Sequence, residues 1–524
     1  MSSAIERING WSKRLRSPDV ALAFAISLVA FLARLVPELQ GELPGGSDYD
    51  EGVYFATANA LARGILPYRD FVSVHPPGVP VLLSPIAGPF TAIFGSTAGF
   101  IAARVLAALA GAITTFLLYR CALKLSGRYA AIIAASLYAT FAAAIVAEGR
   151  VLLDPFMIVF GVAGSFVFLE RRGRRPAIWA GVLLGLALSM KLTGAVFFVS
   201  VLVIGLLVDR ARRSDTVTIA LSGAITALAV MGPFILAAGP NRFFSQVVTA
   251  QLDRPTGAGL PGAISKVSAR ISELVALGPL GNRGTLPNVV VFILAAIACA
   301  ATVWGFVQRD ARGRFWSLTF VLAALGLLTA PTFYIQYAAL TGTALAVLLG
   351  ASVARILSQI PKRASLVAVS AFVFLLFGWQ LKVGIFTTQL SVPSGYKATI
   401  QRAAERGCVF TDESDNAFLA DVVPQKGISK PLIDPFGELL DLGRADASTA
   451  LDALHSDASQ KRLREALDEC PSVVLSGPVE GQFIWSVETK AWFVTTHSIA
   501  QLEGSTSVWQ QGALPTANGS TAPR

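Results

Sequence analysis

The sequence DYDEGVY at residues 48–54 decides how the chain is interpreted, because it places acidic residues directly after the first hydrophobic span. Three carboxylates, those of Asp48, Asp50 and Glu51, fall within four residues. The protein is otherwise poor in charge: of its 524 residues 15% are charged and 54% are hydrophobic. Carboxylates beside a hydrophobic bundle are costly unless they have a use. The stretch therefore favours an enzyme that acts on a charged or polyhydroxylated substrate.

Long apolar runs make up most of the chain, and the mean hydropathy is +0.60. Each run is near the ~20 residues that cross a bilayer as a helix. Because the runs are continuous rather than alternating, they predict helices and not a closed barrel. We expect about eleven spans, at 20–37, 100–123, 129–147, 151–169, 177–190, 193–208, 217–238, 288–307, 315–331, 337–354 and 365–386.

Basic residues in the short loops predict the orientation, since Lys and Arg concentrate on the cytoplasmic side. The basic clusters are 13–16, 124–128, 171–175, 210–213, 309–314 and 362–363. All fall on one side if the proline-rich segment 78–95 is re-entrant or interfacial rather than spanning. This predicts a cytoplasmic N-terminus, an outer C-terminus and a first span that is an uncleaved signal anchor. The net charge of +10 is then topological, and no nucleic-acid partner is inferred.

The composition predicts three regions. Residues 1–387 form a transmembrane catalytic module with outer-face loops 38–99 and 239–287. Residues 388–509 alternate short β-like runs with helical runs, which predicts a small extracytoplasmic α/β domain. Residues 510–524 are rich in Gly, Ser, Thr and Pro and are predicted to be disordered. Cys408 and Cys470 fall in the outer domain, where either a disulfide or two separate thiols would fit.

The acids of the first outer loop precede a stretch of helical composition, so they are expected at a helix N-terminus. Acidic residues there complement the helix dipole and cap free N–H groups, but one would be enough for that role. A general base must reach its hydroxyl directly, and Asp50 is the candidate. His75-Pro-Pro-Gly78 predicts a rigid turn, in which His75 either binds a phosphate or metal or serves only the turn.

A second group of charged residues, Glu148, Arg150 and Asp154, occupies the next outer turn. Asp154 followed by Pro155 is a helix start signal, which favours capping for this aspartate. An ion pair between Glu148 and Arg150 would be a structural use for those two residues.

Cations on the outer side include Lys191, Arg104 and Arg34. Snorkelling to headgroups would explain any one of them. A lipid-linked phosphate would need two or three cations where its charge develops, and Lys191, Arg104 and Arg150 are the candidates. No phosphate-binding glycine loop and no zinc signature occurs in the sequence.

The residues of the first outer loop resemble those of a known enzyme family. The loop after the first span resembles the first outer loop of GT-C-fold glycosyltransferases of the protein O-mannosyltransferase and aminoarabinose-transferase types. The resemblance is carried by residues 50–54, ALARGILP at 60–67, Asp70-Phe71 and His75-Pro-Pro-Gly78. The resemblance implies that Asp50 and Glu51 are the catalytic carboxylates. Where the aminoarabinose type begins its Pro-Pro motif with Lys, this chain has His75. Glu148, Arg150 and Asp154 are similar to a second-loop acidic motif of the mannosyltransferase type.

The resemblance implies a multi-pass plasma-membrane enzyme that passes a sugar from a polyprenyl phosphate to a glycan, lipid or protein acceptor on the outer face, usually with inversion. The candidate substrate contacts are Asp48, Tyr54, His75, Glu148 and Asp154. No cofactor is expected, although a divalent cation could be held by oxygen ligands from Asp48, Asp50, Glu51, Glu148 and Asp154. A lipid phosphate with one sugar carries less charge than a pyrophosphate and needs metal less. The alternatives are a transporter or flippase of lipid-linked glycans and a structural scaffold.

Overall fold

The computed structural model describes residues 18–39, 49–252, 260–275, 288–330, 332–387, 396–444, 447, 449–503 and 506–512. Asp48, the basic cluster 13–16 and residues 513–524 of the predicted disordered tail lie outside the described residues.

Helices dominate the described chain. In the first half they are α1 (Pro18–Leu39), α2 (Tyr49–Ala62), α3 (Gly78–Pro85), α4 (Thr91–Phe94), α5 (Ser96–Ala139), α6 (Ala142–Glu148), α7 (Asp154–Glu170), α8 (Arg174–Met190), α9 (Ala195–Val203), α10 (Arg213–Ala238), α11 (Pro240–Phe244) and α12 (Ala250–Leu252). In the second half they are α13 (Leu260–Val275), α14 (Asn288–Val307), α15 (Ala311–Thr329), α16 (Ala338–Leu357), α17 (Lys362–Thr387), α18 (Tyr396–Ala404), α19 (Ser414–Leu419), α20 (Pro435–Gly443), α21 (Ala450–Leu454), α22 (Asp457–Asp468) and α23 (Val487–Thr496).

Each of the eleven predicted spans overlaps a helix within the described residues, although 129–147 runs from α5 across Thr140 and Phe141 into α6. Two of them share α5, which is interrupted where Ser126 and Gly127 leave helical geometry; Gly127 has a φ of +83°, which glycine tolerates at no steric cost. Within the described residues, seven helices are long and apolar enough to cross a membrane, and several others, such as α7 and α8, have 17 residues. The protein is a helical, multi-pass membrane protein, as predicted. The exact number of crossings and their orientation stay predictions.

The chain divides into two compact units. The first contains Met1–Gly41, Arg104–Gly232 and Ala258–Gln389, and the second contains Glu42–Ala103, Pro233–Gly257 and Leu390–Arg524. The boundaries drawn from the sequence at 387 and 509 stay predictions.

A four-stranded sheet lies in the second unit, in the order β1-β2-β4-β3. Its strands are β1 (Val409–Thr411), β2 (Ser472–Leu475), β3 (His497–Glu503) and β4 (Thr506–Gln511). The pair β1–β2 is parallel and the other two pairs are antiparallel. The predicted α/β fold of this region is thus confirmed. Cys408 and Cys470, at the edges of β1 and β2, form a disulfide, which decides between the two alternatives left by the sequence.

Candidate active-site residues

The two candidate catalytic carboxylates lie in the first turn of α2, as their position before a helical stretch predicted. They differ in exposure: Glu51 is fully buried, whereas Asp50 is only half-buried. A group that takes a proton from a substrate must reach it directly or through one water. Of the two carboxylates, Asp50 is therefore the one that meets this requirement.

Tyr49 fixes the start of this helix, a role that the sequence analysis missed. Its hydroxyl donates to the Asp434 carboxylate at 2.8 Å and accepts from the backbone N–H of Phe436 at 3.0 Å. Burial raises the pKa of Tyr49 well above its usual value, and the Asp434 charge adds to the effect, so the phenol stays protonated and can donate. Asp434 in turn accepts from Gly437 N–H and caps α20. The residue before Asp50 is thus tied to a capped helix more than 380 positions further along.

A close backbone approach holds α2 against α19. A Cβ on Gly52 would lie 2.6 Å from the backbone nitrogen of Asp415, a separation at which something must shift, so only glycine fits here. Three residues on, the rings of Phe55 and Phe418 meet edge to face at 4.8 Å. Asp50 is consequently presented on a rigid element, which a general base requires.

Tyr54 and His75, two of the candidate substrate contacts, are neighbours. Their rings meet edge to face with centroids 5.7 Å apart. The carbonyl of His75 accepts from the hydroxyl of buried Tyr68, which fixes the predicted turn. The Tyr54 ring is almost wholly buried and His75 is partly exposed.

Lys191 and Asp154 form a buried ion pair in the first unit. The Lys191 ammonium donates to both Asp154 oxygens, at 2.9 and 2.8 Å, and lies 3.8 Å from the centroid of the Tyr337 ring. The predicted capping role of Asp154 is wrong: α7 begins at Asp154, its N-cap position is Leu153, and no side chain caps it. The carboxylate accepts from the lysine instead, because a buried ammonium needs a counter-charge more than a helix end needs a cap. Ion pairing likewise replaces snorkelling for Lys191.

Glu148 is enclosed by a second set of partners in the same unit. Its Oε2 accepts from the Arg34 Nε at 2.7 Å, and its Oε1 accepts from the Tyr138 hydroxyl at 2.7 Å. Arg34 also donates to the carbonyl of Ala30. Both side chains of the pair are fully buried. Arg34 is therefore an internal partner of Glu148 and not a residue that snorkels to headgroups.

The two remaining candidate cations, Arg104 and Arg150, differ in how far they are buried. Arg104, in α5, is almost completely buried, whereas Arg150 is partly exposed in the turn after Glu148. Both take part in interactions within the protein.

The acids of the outer loops are the candidate ligands for a metal ion. Among the residues that the structure describes, no group of three or more His, Cys, Asp or Glu side chains is arranged to hold a metal ion. Two of the five suggested oxygen ligands, Glu148 and Asp154, already face a cation. The donor set around them does not fit a divalent ion.

Comparison with known proteins supports the fold and the class. Residues 74–236 match the family described as dolichyl-phosphate-mannose-protein mannosyltransferase. The structure of ArnT from Cupriavidus metallidurans bound to undecaprenyl phosphate has a TM-score of 0.54 at 13% identity, covering 94% of this chain and 97% of that one. The archaeal oligosaccharyltransferase AglB from Archaeoglobus fulgidus, in complex with an inhibitory peptide and a dolichol-phosphate, has a TM-score of 0.56 at 12% identity, covering 88% and 69%. No curated protein matches the sequence significantly.

Identities this low establish the fold, and the fold is that of the GT-C glycosyltransferases. The resemblance to GT-C-fold glycosyltransferases is thereby confirmed at the level of the fold. The roles of individual residues rest on the geometry above and are proposals.

Proposed function

We propose that this protein is a membrane glycosyltransferase that moves a sugar from a polyprenyl-phosphate donor to an acceptor hydroxyl on the outer face of the plasma membrane. The GT-C fold supports the class, and the lipid phosphates bound by ArnT and AglB support the type of donor. The observation that carries the proposal is Asp50, a half-buried carboxylate on a helix turn whose neighbouring residues Tyr49 and Glu51 are fixed or buried.

Asp50 is the general base in the proposed reaction. It takes the proton of the acceptor hydroxyl while that oxygen forms a bond to the anomeric carbon of the sugar. The bond from that carbon to the phosphate oxygen breaks, and its electron pair leaves with the polyprenyl phosphate. Attack opposite the leaving group inverts the anomeric configuration. Glu51, which is fully buried, supports the turn and does not itself exchange the proton.

Lys191 is the proposed cation for the donor phosphate. An ammonium group has three N–H donors, and two of them point at Asp154. Asp154 and the Tyr337 ring hold the ammonium in one orientation. The third donor is then available for a phosphate oxygen whose charge grows as the bond breaks. Arg104 and Arg150 are the additional cations of this proposal.

Fewer residues are proposed to contact the substrate than the sequence alone suggests. Tyr54 and His75 form an edge-to-face aromatic pair, and His75, its partly exposed member, is assigned to pack against the sugar ring. Glu148 has both oxygens engaged by Arg34 and Tyr138, so we assign it to holding the second outer turn. No step of the reaction is assigned to a metal ion.

The proposal is tested with purified protein, a polyprenyl-phosphate sugar and a panel of candidate acceptors. A transferase releases free polyprenyl phosphate when the correct acceptor is present, whereas a flippase moves the lipid-linked sugar across a vesicle and leaves it intact. Transbilayer movement of an uncleaved donor, with no release for any acceptor, would replace the proposal by the transporter alternative.

A further inference from the structure

Basic loops that are far apart in the sequence meet around one cavity in the first unit. The cavity has a volume of about 590 Å³. Five arginines line it: Arg172, Arg212, Arg309, Arg312 and Arg314. Arg172 follows α7, Arg212 directly precedes α10, Arg309 precedes α15, and Arg312 and Arg314 lie in the first turn of α15. All of these positions belong to the predicted cytoplasmic side.

Two of the five arginines, Arg212 and Arg312, form ion pairs within the wall of the cavity. Arg312 donates to the Glu170 carboxylate at 2.8 Å and pairs with Asp310 at 3.2 Å. Arg212 pairs with Asp209 at 3.0 Å. It also donates to the carbonyls of Phe168 and Leu169 and thereby satisfies the C-terminal end of α7. These two arginines and their three carboxylates form the fixed frame of the cavity.

Two further arginines of the lining, Arg172 and Arg309, are exposed. The side chain of Arg172 is 64% exposed, with its nearest carboxylate, Asp209, 3.6 Å away. The lining as a whole carries five arginines against three carboxylates, a surplus of two positive charges. A cavity of this kind attracts an anion, and arginine forks bind phosphate oxygens in pairs.

An apolar wall completes the cavity. Phe168, Ile204 and Val208 line it together with the arginines. Leu207, directly before Val208, is 69% exposed on the apolar helical segment Leu192–Val208. The cavity therefore offers a basic side and an apolar side that continues toward the surface expected to face lipid.

We propose that this cavity binds the phosphate headgroup of an anionic phospholipid, with the apolar wall taking the start of its acyl chains. The positive-inside bias accounts for basic residues on this side, but not for their convergence on a cavity with an apolar wall. Basic pockets between transmembrane helices on the cytoplasmic side are suited to anionic headgroups. A free phosphate would use the arginines and leave the apolar wall without a function.

The test measures the apparent Tm of the purified full-length protein in a neutral detergent as phosphatidylglycerol, phosphatidylcholine or glycerol phosphate is added. Phosphatidylglycerol is expected to raise the Tm to a plateau, and the other two additives are expected to have little effect. In Arg172→Gln/Arg309→Gln the half-saturating concentration should rise about tenfold or more, the change expected when a hydrogen bond to a charged group is lost. The matched control, Lys362→Gln/Arg363→Gln, removes two exposed charges of the same predicted face outside the cavity and should respond as the wild type does.

An equal loss of response in the control would show general surface electrostatics and overturn the proposal. So would an equal Tm increase with glycerol phosphate, which would make the ligand a soluble anion. If the cavity variant does not fold, native mass spectrometry of the wild type decides: bound phosphatidylglycerol that phosphatidylcholine does not displace is expected, and its absence contradicts the proposal.

Discussion

The ammonium of Lys191 lies 2.8 and 2.9 Å from the two carboxylate oxygens of Asp154, and both residues are buried. The lysine therefore stabilises the first unit whether or not it also binds substrate. Replacing it alone mixes the two effects, because a buried carboxylate that has lost its counter-charge destabilises a protein by itself. Replacing both members of the pair separates them.

Lys191→Met is predicted to lower the free energy of unfolding by ~3–5 kcal/mol, since it leaves Asp154 buried and unpaired. In Lys191→Met/Asp154→Asn no charge is left unpaired, so the Tm should return most of the way to the wild-type value. The KM for the donor should stay raised in the double variant, and more so than the KM for the acceptor. A double variant with wild-type donor KM would limit Lys191 to a structural role.

Gly111→Ala is predicted to destabilise the protein by ~1–3 kcal/mol, the usual cost of overpacking a core. A Cβ at this position of α5 would lie 2.6 Å from the Nε of Arg34 and 2.7 Å from the Cδ of Glu148. The control is Gly326→Ala in α15, where a Cβ meets no heavy atom within 4 Å and helix propensity should make the change neutral or slightly stabilising. Equal Tm values for the two variants would argue against a tightly packed Arg34–Glu148 pair.

Asp412, directly after β1, is predicted to make stability depend on pH. Burial raises the pKa of this carboxyl from 3.8 to about 6, with the Glu413 charge adding to the effect, although Ser476 and Gln482 donate hydrogen bonds to it. A raised carboxyl pKa means that the folded state binds the proton more tightly. The contribution to stability is therefore full below about pH 4 and is lost as the pH rises to about 6.

The Asp412 prediction is measured as the Tm of wild type and of Asp412→Asn across this pH range. The difference in unfolding free energy between the two proteins should change by at most ~3 kcal/mol, in favour of the variant at the higher pH. Glu413→Gln should narrow the pH window, because it removes one cause of the raised pKa. Parallel curves for wild type and Asp412→Asn would contradict the assignment.

Activity is predicted to be independent of divalent metal. Glu148 and Asp154 each neutralise a cation of the protein, and Lys191 is assigned to the phosphate charge that a metal would otherwise offset. Turnover in EDTA should equal turnover in buffer with Mg²⁺ added. Activity that disappears in EDTA and returns with Mg²⁺ or Mn²⁺ would recast Asp50 as a metal ligand.

Local features were predictable from the sequence, because they depend on residues that are close along the chain. The continuous apolar runs located the long helices, and the acids before a helical stretch located the start of α2. The pairing of Lys191 with Asp154 was also predictable from the sequence. Two 17-residue helices joined by a short turn must run antiparallel, which brings the start of α7 opposite the end of α8.

Partners at long sequence separation were not predictable. Arg34 and Glu148 are 114 residues apart, and Tyr49 and Asp434 are 385 apart. The residues around Tyr49 do not indicate its partner. Asp434 comes from a distant segment of the chain, and only the folded second unit brings the two side chains together. The same limit left the Cys408–Cys470 disulfide undecided, because spacing along the chain does not give the distance between two thiols.

Asp50→Asn is the variant that tests the central claim most directly, measured as single-turnover release of polyprenyl phosphate from the donor in the presence of a competent acceptor. The substitution keeps the shape of the side chain and removes the basic carboxylate, so the rate should fall ~10²–10⁴-fold with an unchanged Tm. The matched control is Asp457→Asn, the same change in the first turn of α22, and it should release the lipid at the wild-type rate. Release by Asp50→Asn at the wild-type rate would contradict the account.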